Sequence, residues 1–151
     1  VGKLHEDRFT TYKILFQYEE VAVLDYPLFF YFINTEGIVH SKWSLRRLDN
    51  LEAAEEQIGY FKERGLERSY WYTVREYIHL MVCSLREMKK YKEYSKEMQK
   101  VRIKLRKSIR LYATQLGISF PKDMTIYKYA YPFEVRVYQK IVRILKRLTI
   151  N

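Results

Sequence analysis

Residues 2–18 read GKLHEDRFTTYKILFQY, in which two adjacent carboxylates stand directly before a run with helical periodicity. The run predicts an amphipathic helix over Arg8–Tyr18, because its apolar side chains recur mostly at three- and four-residue steps: Phe9, Tyr12, Leu15, Phe16 and Tyr18. An ionised Asp7 before such a helix can cap free backbone N–H groups and suits the positive end of the dipole. The same position exposes the carboxylate, where it could accept a proton. From the residues alone both roles stay open.

Two short apolar stretches follow this helix. Val21–Leu24 is apolar and partly β-branched, and it predicts a strand that Asp25-Tyr26-Pro27 ends. Leu28–Ile33 predicts a second strand, since an unbroken aromatic run fits a strand covered on both faces. The turn residues Asn34–Gly37 come next. We therefore expect one short β element between helical segments.

Taken together, these segments resemble family 2 glycosyltransferases, and in particular the second half of their GT-A catalytic domain. The resemblance covers about residues 2–65, and its motifs are Gly2–Asp7, Phe9–Tyr12, Val21–Leu24, Pro27–Tyr31 and Gly37-Ile38. It implies a mainly α fold with a short β element. Residues 1–42 would be the C-terminal part of an α/β GT-A domain, and residues 43–151 a bundle-like helical extension.

The resemblance also implies an activity. It suggests an enzyme of the hexosyltransferase type that inverts the anomeric centre as it moves a sugar from a nucleotide-sugar donor to a saccharide or lipid-linked acceptor. The cellular setting implied is bacterial surface polysaccharide synthesis, in the cytoplasm or at the inner face of the cell membrane.

Particular residues take roles from the same resemblance. In that family the Asp of the Glu-Asp pair is the general base that deprotonates the acceptor hydroxyl, and this role falls on Asp7. Glu6 and His5 would contact the acceptor and tune the base. A His near the following loop meets the metal or the diphosphate in related GT-A enzymes, which makes His40 a candidate, with Lys42 as a phosphate contact. The alternative for both is an ordinary surface position.

The donor-binding motifs of the family do not occur among the 151 residues. There is no Asp-x-Asp sequence and no Gly-rich phosphate loop, and the family motif follows Val1 at once. We therefore expect a fragment whose preceding part would bind the nucleotide-sugar. The resemblance implies a divalent cation, Mn²⁺ or Mg²⁺, held mainly by that part. Alone, the fragment is expected to be inactive.

From Trp43 to the end the apolar periodicity is helical. Ser44 can cap the first of these helices and Gly65 can close it, while Gly117 and Pro132 mark a later end and a later start. The further predicted helices are Glu67–Tyr91, Lys92–Leu116, Met124–Ala130 and Pro132–Leu148.

Charge is distributed unevenly along the chain. Residues 1–67 carry 8 Lys/Arg against 12 Asp/Glu, whereas residues 68–151 carry 20 against 6, so the second part suits an anionic partner. Residues 86–110 hold 11 Lys/Arg and three Glu, and residues 132–148 mix aliphatic with basic side chains as interfacial helices do. Three interpretations follow: a solvated helical face, an anionic membrane contact, or nucleic-acid binding, for which no motif is present. The alternative function is a non-enzymatic basic helical module that binds anionic membrane or nucleic acid.

Two further features bear on the compartment. The sequence contains no run of 18 apolar residues and no signal-like start. Cys83 is the single cysteine and lies among apolar residues, which predicts a buried thiol in a reducing compartment. Nothing in the sequence sets an oligomeric state.

Overall fold

A computed structural model describes residues 2–30 and 41–148, the last three of these by their backbone alone. Within these residues the chain forms six α-helices: α1 (Glu6–Leu15), α2 (Asp49–Glu63), α3 (Glu67–Met88), α4 (Ser95–Leu116), α5 (Met124–Ala130) and α6 (Pro132–Leu148). Short 3-10 turns at Leu45–Leu48 and Lys92–Tyr94 lead into α2 and α4. The predicted mainly helical architecture is confirmed.

The predicted β element is not seen in the described residues. Val21–Leu24 forms no strand, and the side chain of Val23 is 91% exposed. Residues 28–30 form no strand either, while the rest of the second predicted strand and the turn at residues 34–37 lie outside the described residues. A strand needs a neighbouring strand to pair its backbone groups. Residues 21–30 have none among the described residues, so their apolar pattern is not enough to make one.

Helix α1 begins two residues earlier than the pattern predicts. His5 precedes it in the left-handed conformation, with φ 61°, and no side chain caps the helix. The prediction that Asp7 caps this helix is therefore wrong, because Asp7 is already inside its first turn. The turn is acidic through Glu6 and Asp7, which favours the helix dipole.

Glycine ends α2 as predicted. Gly65 has φ 66°, its N–H donates to the Lys62 carbonyl at 3.1 Å, and the Leu66 N–H donates to the Phe61 carbonyl at 2.9 Å. These two bonds make a Schellman motif, which needs a left-handed residue at this position. Ser44 does not supply the expected cap, since the segment starts as a 3-10 turn without a side-chain bond from Ser44.

Helix α3 is the centre of the fold. It packs against α2 and α4, and α5 contacts both α3 and α4. The shared core is buried and apolar, and its members are Leu51, Ala54, Tyr77, Ile78, Met81, Val82, Leu85, Met88, Val101, Leu105, Ile109 and Ala130. Most of these stand at the three- and four-residue steps that the sequence predicts for the stripes of α2, α3 and α4. Helix α1 packs on α2, and α6 packs on α5.

In the parts of the chain that are described, no helix combines the length and the apolar character needed to cross a bilayer.

Candidate functional site

Helix α1 carries the candidate base, and Arg8 ties this helix to two others. Its guanidinium donates to Asn50 Oδ1 on α2 at 2.6 Å and to Glu76 Oε2 on α3 at 3.1 Å. The Gln57 side chain of α2 donates to the Arg8 carbonyl at 2.6 Å. Because Arg8 is partly buried, these bonds fix the position of the first turn of α1 more firmly than exposed ion pairs would.

A second set of contacts fixes the far end of α1. Tyr12 is buried, donates to Glu56 Oε1 at 2.9 Å and packs edge-on against the ring of Tyr60, with centroids 4.9 Å apart. Lys13 also bonds Glu56. The Lys13 bond, with help from Tyr12, lowers the pKa of Glu56, whereas burial and the Glu56 bond raise the pKa of Tyr12. Helix α1 is therefore held at both ends.

Glu6 and Asp7 contrast with these neighbours. Lys3, Arg8 and Lys13 all form ion pairs with acids of α2 or α3. Glu6 and Asp7 are exposed, and within the described part of the chain neither side chain takes part in an ion pair or a hydrogen bond. A rigidly placed carboxylate without a partner is available to accept a proton. The same exposure also suits a purely stabilising role at the helix dipole.

His5 borders a small cavity beside this turn. The cavity has a volume of about 230 Å³ and is lined by His5, Trp43, Arg47, Asn50, Leu80, Cys83, Ser84 and Glu87. Its walls come from the residue before α1, from the 3-10 turn with its flanking residues and the start of α2, and from α3. Cys83 is only partly buried, and its Sγ lies 3.4 Å from His79 Nε2. Neither Glu6 nor Asp7 lines this cavity, so the structure does not place the acidic pair and His5 around one enclosed space.

Of the two loop candidates, Lys42 lies within the described residues and is not joined to the acidic pair. Lys42 is exposed, ahead of the 3-10 turn, and no contact links it to Glu6 or Asp7. His40 lies outside the described residues. Their roles stay predictions.

The described residues do not fit a divalent cation. Among residues 2–30 and 41–148 no group of three or more His, Cys, Asp or Glu side chains is arranged to hold a metal. A cation that assists nucleoside diphosphate departure would therefore take its ligands from outside these residues.

A larger, basic cavity lies between α3 and the start of α5, and the sequence pattern did not predict it. It has a volume of about 420 Å³, and Arg75, His79 and Arg86 of α3 face Lys122 and Asp123 across it. The signal was present in part, because positions 75, 79 and 86 share one helical face. The opposite wall comes from a distant loop, which periodicity does not place.

Some of the basic residues in 86–110 have structural partners. Arg102 Nε donates to the Tyr129 carbonyl at 3.1 Å, and Arg106 Nε donates to the Ala130 carbonyl at 2.7 Å, so both bind the C-terminal end of α5. Burial, then the charge of Arg106, lowers the pKa of Arg102. These guanidinium groups satisfy carbonyls that the helix end leaves unpaired. Part of the charge of this segment therefore acts inside the fold.

Comparisons with protein-family models, with curated proteins and with solved structures find no match. The resemblance to family 2 glycosyltransferases therefore rests on the residues of this chain alone.

Proposed function

We propose that this chain is the acceptor-side part of an inverting glycosyltransferase, in which Asp7 is the general base. The donor would be a nucleotide-sugar, and the acceptor a saccharide or lipid-linked sugar of bacterial surface polysaccharide synthesis. The observation that carries the proposal is that the acidic pair is exposed and free of bonding partners among the described residues. Asp7 is exposed and has no ion pair or hydrogen bond among the described residues, whereas the nearby Lys3, Arg8 and Lys13 are all paired with acids of α2 or α3.

The chemistry asks for one base. In a single-displacement inversion the acceptor hydroxyl loses its proton as it attacks the anomeric carbon, and one carboxylate within hydrogen-bond reach can take that proton. Asp7 has this role, while Glu6 and His5 stand beside it and contact the acceptor. Arg8 and Tyr12 position the helix without touching the substrate. Donor and cation belong to a part of the enzyme outside these 151 residues.

The exposed segment of residues 18–30 also supports the proposal. Its large apolar side chains are uncovered by the rest of the described chain, and Val23, Leu28, Phe29 and Phe30 are 91%, 75%, 81% and 86% exposed. Contiguous exposed apolar surface of this kind marks a site of association. In a GT-A domain such a segment would lie within the catalytic sheet, which this chain does not supply among its described residues.

The test replaces each of the two acidic residues, one at a time, by its amide in the complete protein. Asp7→Asn should lower kcat by about 10²-fold or more, since general-base catalysis contributes roughly that factor. Glu6→Gln is the matched control and should lose far less, with a change mainly in acceptor KM. Transfer of sugar to acceptor is measured, with circular dichroism to show that both variants are folded. Full activity of Asp7→Asn would exclude Asp7 as the base.

A second measurement addresses the donor site. The purified 151-residue chain should not turn over a nucleotide-sugar, because the described residues offer neither a metal cluster nor a phosphate-binding loop. Measurable sugar transfer by this chain would contradict the assignment of donor and cation to another part of the enzyme.

A further inference from the structure

Helix α6 has two apolar faces, and among the described residues only one of them packs on other elements. On the inner face Val135 is 3% exposed, and the ring of Tyr138 packs edge-on against Phe120 with centroids 4.7 Å apart. Gln139 Nε2 lies 3.3 Å from the sulfur of Met124. These contacts fix the rotation of α6 about its own axis.

The other apolar face is not covered by any described part of the chain. Phe133, Val137, Ile141 and Ile144 are 74%, 42%, 50% and 48% exposed. Their spacing of four, four and three residues places them on one side of the helix, at about 100° per residue. This set is named the exposed stripe. It runs along most of α6 and lies away from the face that packs on α5.

Cations line one edge of the exposed stripe. Arg136, Lys140 and Arg143 are exposed and fall on the same flank at helical spacing. No ion pair involves them within the described part of the chain. Glu134 is the single acidic residue of α6, and its position lies on the opposite flank. An apolar stripe with basic side chains at its edge is the pattern of helices that lie in the headgroup region of a bilayer.

We propose that the exposed stripe of α6 docks this protein on an anionic membrane surface, with α6 lying in the plane of the interface. The apolar side chains would enter the boundary between headgroups and acyl chains, while Arg136, Lys140 and Arg143 meet lipid phosphates. Binding does not depend on Asp7, so the inference stands whether or not the proposed sugar transfer holds. In the enzyme it would keep the acceptor side close to a lipid-linked acceptor.

The combination of charge and apolar surface favours an anionic bilayer over two other partners, a second copy of the chain and a nucleic acid. A second copy of the chain, paired across a two-fold axis, would bring the same cations near each other. A nucleic acid would meet the cations but would leave the exposed stripe in water. An anionic bilayer satisfies both the apolar and the basic groups.

The test measures co-sedimentation of the full 151-residue chain with vesicles. Binding should be strong to phosphatidylcholine vesicles that contain phosphatidylglycerol, weak to phosphatidylcholine alone, and weaker in high salt. The double variant Val137→Ser with Ile141→Ser should bind the anionic vesicles at least about tenfold less tightly, because both side chains are exposed and lose their insertion into lipid. Ile103→Ser, at a 63% exposed position of α4, is its control and should bind normally.

A charge-matched pair separates α6 from the rest of the basic surface. Lys140→Gln with Arg143→Gln should weaken binding several-fold more than Lys107→Gln with Arg110→Gln, which removes the same charge from exposed positions of α4. Equal losses in the two pairs, or normal binding by the Val137/Ile141 variant, would overturn the proposal. It would also be overturned by a dimer in analytical ultracentrifugation that the Val137/Ile141 variant dissociates, or by nucleic-acid binding that survives that variant and excludes vesicles.

Discussion

Glu55 is the residue where three helices meet through polar groups. On α2 it accepts hydrogen bonds from the Tyr77 hydroxyl of α3 and from Lys104 Nζ of α4, the latter at 2.6 Å. The Tyr77 ring belongs to the core, and its hydroxyl reaches the edge where Glu55 stands. Burial first, and then the Glu55 bond, raises the pKa of Tyr77 above its ordinary value. The Tyr77 hydroxyl therefore lies at the edge of the core, and the folded state favours its neutral form.

The raised pKa of Tyr77 predicts that the protein loses stability in alkali. Below about pH 10, the ordinary tyrosine pKa, Tyr77 is neutral in both states and its contribution to the free energy of unfolding is complete. Above that pH the unfolded chain ionises first, so stability falls until the raised pKa of the folded state is reached. Urea unfolding between about pH 8 and pH 11 should show this fall, and Tyr77→Phe should flatten it.

Tyr72→Phe is the control for this prediction, because Tyr72 is 69% exposed and should leave the pH profile unchanged. Tyr77→Phe should also cost about 1 kcal/mol at neutral pH, the net value of a hydrogen bond. Tyr12 and Tyr70 have pKa values raised in the same direction, so some alkaline loss remains in the variant. Parallel profiles for wild type and Tyr77→Phe would contradict the assignment.

The sequence predicts such residues only in part. The helical period places Tyr77 on the core stripe, but the pairing with Glu55 depends on how α2 and α3 are aligned, which no local pattern encodes. For the same reason, the position of Asp7 could be predicted only in part. Its carboxylate could be singled out from the sequence, whereas its inclusion in the first turn of α1 depends on the left-handed His5, a conformation that non-glycine residues seldom take.

At the scale of single elements, one glycine lies within α2 and a second follows its C-terminal end in the left-handed conformation. Gly59 lies inside the helix, and a Cβ built there meets no atom within 4 Å beyond its chain neighbours and the backbone of its own helix. Gly65 lies beyond the end at φ 66°, where a side chain would be strained even though the space is open. The two positions therefore separate helix propensity from the requirement for a left-handed residue.

Alanine at these positions should shift stability in opposite directions. Gly59→Ala should stabilise the protein by about 0.5–1 kcal/mol, since glycine is a poor helix former and the site has room. Gly65→Ala should destabilise it by about 1 kcal/mol or more, because alanine resists the left-handed conformation of the Schellman motif. Thermal unfolding followed by circular dichroism measures both. A stabilising Gly65→Ala would mean that α2 does not end in this motif.

Local signals account well for the helices and poorly for the strands. The bounds of α3 and α4 lie within a few residues of the predicted ones because propensity and the apolar stripe act within one segment, and Gly117 ends α4. Val21–Leu24 has a strand-like composition, but a strand is completed by hydrogen bonds to another segment. Whether residues 1–42 belong to a GT-A domain, and whether a boundary follows residue 42, both stay predictions.

For the molecule as a whole, the core links elements far apart in the chain. Residues of α2, α3, α4 and α5 share one buried cluster, and Leu105 within it is fully buried. The two tryptophans lie at different places on this framework. Trp43 packs against Tyr94, with ring centroids 5.4 Å apart, and Trp71 packs against Tyr112 at 6.1 Å. They provide independent fluorescence probes of one structure.

A cavity created in the core should therefore lower the stability reported by Trp43 and by Trp71 to the same extent. Leu105→Ala should cost about 2–5 kcal/mol, the range for buried leucine truncations, and single domains of this size usually unfold in one cooperative step. In backgrounds that retain only Trp43 (Trp71→Phe) or only Trp71 (Trp43→Phe), Leu105→Ala should lower the urea midpoint equally. Leu111→Ala, at a 52% exposed position of the same helix, is the control and should change little. If the Trp43 signal kept its midpoint while the Trp71 signal lost stability, the segment around Trp43 would unfold separately, and the shared core would not hold the two regions together as one cooperative unit.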